Sequence, residues 1–331
     1  MAFDTAPAGS ATGHESLMTL HRPVMLDEAL TGLDVRAGGI YVDCTFGRGG
    51  HSAAILDALC GQGALHALDQ DPEAVAHARE RFAGRSDFHI HHANFSQLAS
   101  IAEVAGIAGR IDGILMDLGV SSPQLDDASR GFSFSRSGPL DMRMNPGAGE
   151  SAAQWLARAN DSEIADVLWQ YGDERNSRRI AKRIVEARAE RPLETTQQLA
   201  ELIATVPGPR SRNIHPATRA FQAIRIFINR ELDVLPAALE QAVDVLAPGG
   251  RLAVISFHSL EDRIVKRFMR EAVQGKGAVE TPSAFRMSEP LVPPCMSKVG
   301  RYFPSDQESA KNPRARSAVM RVSAKLPLVQ S

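Results

Sequence analysis

Tyr41-Val-Asp-Cys-Thr-Phe-Gly-Arg-Gly-Gly-His51 is a short apolar run that ends in a glycine cluster, and helix-forming residues follow it. Gly47 and Gly49 lack Cβ, so the turn can take positive φ and let a ligand lie against bare backbone at a helix N-terminus. Ala64-Leu-His-Ala-Leu-Asp69 reads as a second parallel strand. Its terminal carboxylate is spaced from the glycines so as to accept hydrogen bonds from ribose hydroxyls. A tight turn without a ligand would explain the glycines alone, but not the spacing of Asp69. The layout is that of a Rossmann-like α/β nucleotide-cofactor pocket.

The kind of nucleotide follows from two departures. Dinucleotide folds favour a third glycine where this chain has Ser52, and Asp43 stands ahead of the turn. A carboxylate there repels a pyrophosphate and attracts an ammonium or sulfonium. This favours S-adenosylmethionine over NAD. A helix should start at Asp71-Pro-Glu, and Phe88 to Ala93 reads as a third strand leading to Phe95, an aromatic able to stack on adenine.

Working outward, Ile111 to Asp117 is almost continuously apolar and reads as a fourth strand buried on both faces. Helical runs then occupy 152–158, 161–171, 178–188 and 196–205, with starts at Ser162 and Thr196 and stops at Pro192 and Pro207. The spacing predicts an inserted all-helical domain over 131–220, between sheet segments 20–130 and 221–331. The Ala247-Pro-Gly-Gly250 turn should open a fifth strand, Arg251 to Phe257, and Ser317 to Lys325 a last one. Residues 274–312 read as a surface excursion, and 1–19, rich in Ala, Gly, Ser and Thr, as a disordered tail.

Composition bounds the class. The 331 residues are 44% hydrophobic, enough for a large α/β domain and a smaller one. No apolar run approaches a membrane span and the N-terminus has no signal pattern, so a cytoplasmic protein without a membrane partner is expected. Cys44, Cys60 and Cys295 have unrelated spacings and read as structural thiols, not a disulfide framework or metal pair. The net charge is −2, but residues 251–331 hold 14 Lys and Arg against 7 Asp and Glu, a local +7 that leaves −9 for residues 1–250. Arg210, Arg212, Arg219, Arg225 and Arg230, with His215, form a further basic cluster suited to phosphates. His89, His91 and His92 lie on a strand whose alternation parts them between faces, so no metal is expected.

The longer motifs carry a close resemblance. Gly47-Arg-Gly-Gly-His-Ser52, Asp117-Leu-Gly-Val-Ser-Ser-Pro-Gln124, Arg130-Gly-Phe-Ser-Phe134 and Gly138-Pro-Leu-Asp-Met-Arg-Met144 are joined by His215-Pro-Ala-Thr-Arg219, Ser256-Phe-His-Ser-Leu-Glu-Asp-Arg263 and Asn312-Pro-Arg-Ala-Arg316. Together they resemble the MraW, or RsmH, family over about residues 20–325. That resemblance implies a class I methyltransferase sheet and methyl transfer from S-adenosylmethionine to N4 of a cytidine in small-subunit ribosomal RNA near the decoding centre. The RNA would be met in an assembled or assembling subunit, by a monomer or a homodimer. It also implies that Gly49, Gly50, His51, Asp69, Phe95, Asp117 and Gln124 contact the cofactor, with Gly47 shaping the turn.

Other amino-methyltransferases hold the amine with an Asn/Asp-Pro-Pro-aromatic motif where this chain has Asp117-Leu-Gly-Val. Asp117 is therefore the candidate catalytic acceptor of the amine hydrogens, with a carbonyl near 121–123 as a second. For the RNA, Arg136, Asp141 and Arg143 in the 130–144 loop, together with Arg219 and His258, are the candidates. The loop would grip an extruded base or hinge the helical domain. Ser259 would cap the helix after His258, and Asp262 would pair with Lys266. Two rival readings are an NAD-binding oxidoreductase and a non-catalytic RNA-binding assembly factor.

Overall fold

The computed structural model describes residues 22–208, 215–275 and 292–327. The expected tail at 1–19 and the arginines at 210 and 212 lie outside these residues. The strands are β1 (Ile40–Asp43), β2 (Ala64–Asp69), β3 (Phe88–His92), β4 (Ile111–Asp117), β5 (Leu246–Ser256), β6 (Met296–Tyr302) and β7 (Val319–Lys325). They form one sheet in the order β3-β2-β1-β4-β5-β7-β6, parallel apart from the antiparallel β7. The chain runs from β1 outward to β3 and then returns to β4 on the other side of β1. Such a reversal opens a crevice beyond the strand ends.

The first helices are α1 (Leu26–Leu33), α2 (Gly50–Leu59), α3 (Pro72–Arg81), α4 (Leu98–Val104) and α5 (Ser122–Asp126). A helical series follows: α6 (Ala152–Arg158), α7 (Asp161–Gly172), α8 (Ser177–Glu190), α9 (Thr196–Thr205) and α10 (Thr218–Asn229). The last are α11 (Glu231–Val245), α12 (Ser259–Gln274) and α13 (Asp306–Lys311).

The run Ile114-Leu115-Met116 explains the layering. Ile114 and Met116 face a core built with Leu98, Leu235, Leu239 and Val265 from α4, α11 and α12. Leu115 faces the opposite core with Leu33, Ile55, Leu56 and Ala78 from α1, α2 and α3. Both faces are buried, which is why the strand reads as unbroken apolar sequence. A third core, separate from the sheet, gathers Trp155, Leu168, Ile184, Leu199 and Ile224 around the helical series. Phe221 belongs to it, and Phe227 and Ile228 pack against it. The boundary expected at residue 220 thus falls inside α10, whose apolar face is spent on the helices up to Asn229.

Two local expectations change. Leu246 already pairs with Ile111, so β5 begins before the expected Ala247–Gly250 turn. The turn residues form an irregularity within the strand, where Gly249 takes φ 81° and the register with β4 shifts. The expected excursion over 274–312 contains β6 and α13. β6 reads Met-Ser-Lys-Val-Gly-Arg-Tyr, polar and broken by Gly300, because an edge strand packs few side chains. No helix among the described residues is long and apolar enough to cross a membrane. Cys44 is buried, and burial drives its thiol well above the usual range; Cys60 and Cys295 are exposed.

Candidate active site

A cavity of about 1140 Å³ opens where β1, β2, β4 and β5 end. Its first wall is the glycine turn. Gly47 takes φ 55° and its N–H donates to Asp69 Oδ2 at 2.8 Å. Gly49, at φ 71°, caps α2 in the left-handed region, and a Cβ there would meet the Phe46 ring at 2.5 Å. A side chain at either position would be strained and at Gly49 would also clash. Asp69 accepts a second backbone bond from Asp71 N–H at 2.8 Å, on Oδ1. Burial lifts its pKa to about 6, against the two N–H donors that hold it down. Each oxygen keeps a lone pair for a hydroxyl donor.

Asp43 lies beneath this turn and is almost fully buried. Ser52 Oγ donates to it at 2.7 Å and Thr45 N–H at 3.0 Å. Burial raises its pKa, with His51 pulling the other way. Its effect on a bound cation is therefore a field and not a contact. Ser52 occupies the third glycine position because its hydroxyl satisfies this carboxylate. Thr45, which sequence reading passed over, accepts from Asp117 N–H at 2.7 Å through Oγ1 and so ties the ends of β1 and β4 together. A hydroxyl residue two positions beyond the end of β1 was its only signal.

Asp117 ends β4 on the cavity wall. Its Oδ2 lies 3.6 Å from His51 Nε2, and its Oδ1 is buried with no hydrogen-bond partner among the described residues. Both ring nitrogens of His51 are likewise buried and make no hydrogen bond among the described residues. Burial alone would lower the His51 pKa, but the Asp117 and Asp43 carboxylates outweigh it and the net shift is upward. Buried polar atoms without partners are costly, so their concentration at one cavity wall marks a place where a ligand completes the bonding. Phe95, half-buried, opens a 3₁₀ turn on the same wall.

Gln124 also lines the cavity, but its amide is engaged. Its oxygen accepts from Ser121 N–H at 2.9 Å and its nitrogen donates to Asp71 Oδ2 at 2.8 Å. The same Asp71 oxygen receives Arg130 Nη1 at 2.8 Å, and Arg130 Nη2 donates to the carbonyls of Arg143 and Met144. Arg130 is only 6% exposed. Among the loop's members, Leu140, Met142 and Met144 are buried in the helical core. Phe132, Phe134 and Phe221 supply an aromatic wall on the helical side of the cavity, and Phe134 meets Phe221 edge-on at 4.8 Å.

The RNA candidates divide. Arg143 forks onto Asp141, with Nε and Nη2 each 2.7 Å from a carboxylate oxygen, so these two are spent on each other. Arg136 and Arg219 are exposed, and Arg219 donates to the Asp173 carbonyl at 3.3 Å. Arg225, half-buried on the cavity wall, is held in a two-bond pair with Glu231, at 2.8 and 3.0 Å, so its charge is spent there. Arg230 lies 3.6 Å from Asp233. His258 lines the cavity with its Nε2 3.0 Å from Glu261 Oε1. His258, not Ser259, is the cap of α12, because Glu261 folds back onto the N–H groups of Phe257 and His258. Asp262 pairs with Arg321 across to β7 instead of with Lys266. Arg22 and Arg81 also line the cavity, as do Arg48 and Arg314 from the Gly47–Ser52 and Asn312–Arg316 motifs, and none of the four had been read as a site residue. His66, His89 and His91 stack on one face of β2 and β3, and burial takes the His66 pKa down to about 4. No group among the described residues is arranged to hold a metal ion.

Residues 18–326 match the family model described as the MraW methylase family. The chain is 56% identical over 310 residues to the ribosomal RNA small subunit methyltransferase H of Thioalkalivibrio sulfidiphilus, covering 92% of this chain and 97% of that protein. It is 54% identical over 312 residues to the enzyme of the same name from Shewanella amazonensis, covering 93% and 98%. A putative ribosomal RNA methylase structure from Clostridium thermocellum superposes with a TM-score of 0.43 at 10% identity, over 92% of this chain and 98% of that one.

Proposed function

This chain belongs to the MraW methylase family, and from that premise we propose that it transfers a methyl group from S-adenosylmethionine to N4 of a cytidine in small-subunit ribosomal RNA, near the decoding centre. The names of its relatives support the RNA class. The family match leaves no ground for the NAD oxidoreductase reading.

The pocket fits the cofactor on its own chemistry. Asp69 offers free lone pairs where a ribose would lie, the glycine turn leaves bare backbone, and the His51 ring nitrogens make no hydrogen bond among the described residues and face an amino-acid end. Gly47, Gly49, Gly50, His51, Asp69 and Phe95 would hold it. Gln124 would act by fixing the 121–124 turn. When bound, the cofactor supplies a methyl group on a sulfonium whose leaving group is a neutral thioether.

The single observation that carries the amine reading is Asp117 Oδ1, an acceptor buried on the cavity wall with no hydrogen-bond partner among the described residues. The lone pair of a cytosine amine is delocalised into the ring. A carboxylate that accepts one of its N–H bonds localises that pair and holds the nitrogen in line. The Phe132, Phe134 and Phe221 wall offers faces for an extruded base. The helical body and the exposed Arg136 and Arg219 would carry RNA recognition, on a subunit that is assembled or assembling.

The test is methyl transfer from labelled S-adenosylmethionine to small subunits purified from a strain lacking this protein, followed by nucleoside mass analysis. N4-methylcytidine is expected. Label in a different nucleoside, or none with a well-folded enzyme, would refute the reading.

A further inference from the structure

Among the described residues, five large hydrophobic side chains are exposed, and three of them, Val292, Val299 and Phe303, fall between residues 292 and 303. This stretch is the outermost strand, β6, with its flanks. Phe303 leaves 55% of its surface in water, and the Arg301 guanidinium lies 4.5 Å from its ring centroid.

The sheet fixes where this pair emerges. β5 and β6 both run antiparallel to β7, so they share a direction, and Ile255 and Tyr302 both lie opposite Met320. Phe303 therefore leaves the sheet at the same edge as Phe257 and His258, which line the cavity. The two exits are separated by two strand spacings, about 10 Å. From Phe303 the chain passes through α13 to Asn312 and Arg314, which line the cavity too.

Charge indicates the occupant. Residues 292–327 hold 7 Lys and Arg against 2 Asp and Glu. Lys298, Arg301, Lys311 and Arg316 are exposed, and none of the four is paired with a carboxylate among the described residues. A second copy of this chain, pairing edge to edge and antiparallel about Val299 and Gly300, would set Lys298 against Arg301 twice, and like charges opposite each other disfavour that. An unpaired polyanion with flat bases meets no such penalty.

We propose that Arg301 and Phe303 form a stacking platform for an unpaired RNA base that neighbours, along the strand, the nucleotide entering the cavity. The platform rests on the RNA reading above and adds a place where the flanking strand is held. The ring can take any base on the face opposite the Arg301 guanidinium, and Arg301 adds positive charge there for an adjoining phosphate.

The experiment compares the full-length protein with Phe303→Ala, Phe303→Leu, Phe303→Trp and Arg301→Ala. The substrate is unmethylated small subunits, and the second probe is a mixed-sequence single-stranded RNA oligonucleotide. Phe303→Ala should raise KM for subunits roughly tenfold, with kcat and S-adenosylhomocysteine affinity unchanged. Phe303→Trp should restore KM and show quenching of the new tryptophan by the oligonucleotide, whereas Phe303→Leu should not restore it. Arg301→Ala should lower the salt dependence of oligonucleotide binding.

An unchanged KM in Phe303→Ala, or rescue by Leu as good as by Trp, would overturn the platform. So would a wild-type dimer that dissociates in Phe303→Ala, which would assign the face to a second copy. If wild-type protein methylates no subunit at all, the proposed function falls while the platform is still decided by the added fluorescence of Phe303→Trp: quenching keeps it and no quenching removes it.

Discussion

Lowering the pH should weaken cofactor binding through one carboxylate, Asp69. Its pKa of about 6 arises chiefly from burial, partly offset by the N–H groups of Asp71 and Gly47. Ribose hydroxyls donate to the ionised form, so below pH 6 the group must lose a proton before it can accept them. Each unit below the pKa then costs about a factor of ten, or ~1.4 kcal/mol. Between pH 7.5 and pH 5 the affinity for S-adenosylhomocysteine should fall about tenfold. Calorimetric titration in buffers of different ionisation heat should find about half a proton released per ligand at pH 6, as expected where half the sites are protonated.

The stability sign runs the other way. A carboxyl whose folded pKa lies above its unfolded one contributes stability below about pH 4 that is lost as pH rises through about 6. The ligand-free Asp69→Asn protein should therefore melt no lower than wild type at pH 8 while binding ligand more weakly. His51 and Asp43, both with raised values, sit nearby, so the decisive comparison is the variant's pH slope. A wild-type affinity flat from pH 5 to 8, or an Asp69→Asn slope equal to that of wild type, would refute the assignment.

Asp69→Ala should weaken the same ligand by roughly 1 to 3 kcal/mol without unfolding the protein; unchanged affinity in a folded variant removes Asp69 from the site. Asp117→Ala should depress single-turnover transfer about a hundredfold or more, while S-adenosylhomocysteine affinity changes far less; equal losses in both would make Asp117 a cofactor ligand only. Arg130→Met should destabilise the fold by about 3 to 5 kcal/mol in urea unfolding, because Asp71 would be left as a buried, unpaired charge. Replacing Arg136 and Arg219 with Ala should flatten the salt dependence of RNA binding and leave cofactor affinity unmoved; a normal salt slope would return both arginines to the solvated surface.

The sheet was legible because its signals are local. An apolar run buried on both faces, as at Ile111–Asp117, announces a strand whatever lies beside it, and Gly47 and Asp69 are tied by a spacing that backbone geometry imposes. The parts that were not legible depend on partners distant in sequence. Arg143 looks like a phosphate ligand until its two-bond contact with Asp141 is seen, and Arg225 until Glu231 is. Asp43 reads as facing a cation, yet Ser52 and Thr45 bury it beneath the turn. β6 escaped because an edge strand with Gly300 and exposed Lys298 and Arg301 carries no apolar alternation.

The arginine-rich 130–144 loop has a structural reason that its composition concealed. Arg130 reaches Asp71, two residues beyond Asp69, and at the same time holds the carbonyls of Arg143 and Met144 in the helical core. Gln124, from the turn after Asp117, meets the same Asp71 oxygen. One buried carboxylate therefore links the ribose-side strand end, the Asp117 turn and the entry to the helical body. Charged hydrogen bonds between buried groups are short and directional, so a shift of any of the three would strain the other two. The aromatic wall from the helices is thereby set against the acceptor on β4, and the two halves of the cavity are fixed by a residue that touches neither ligand.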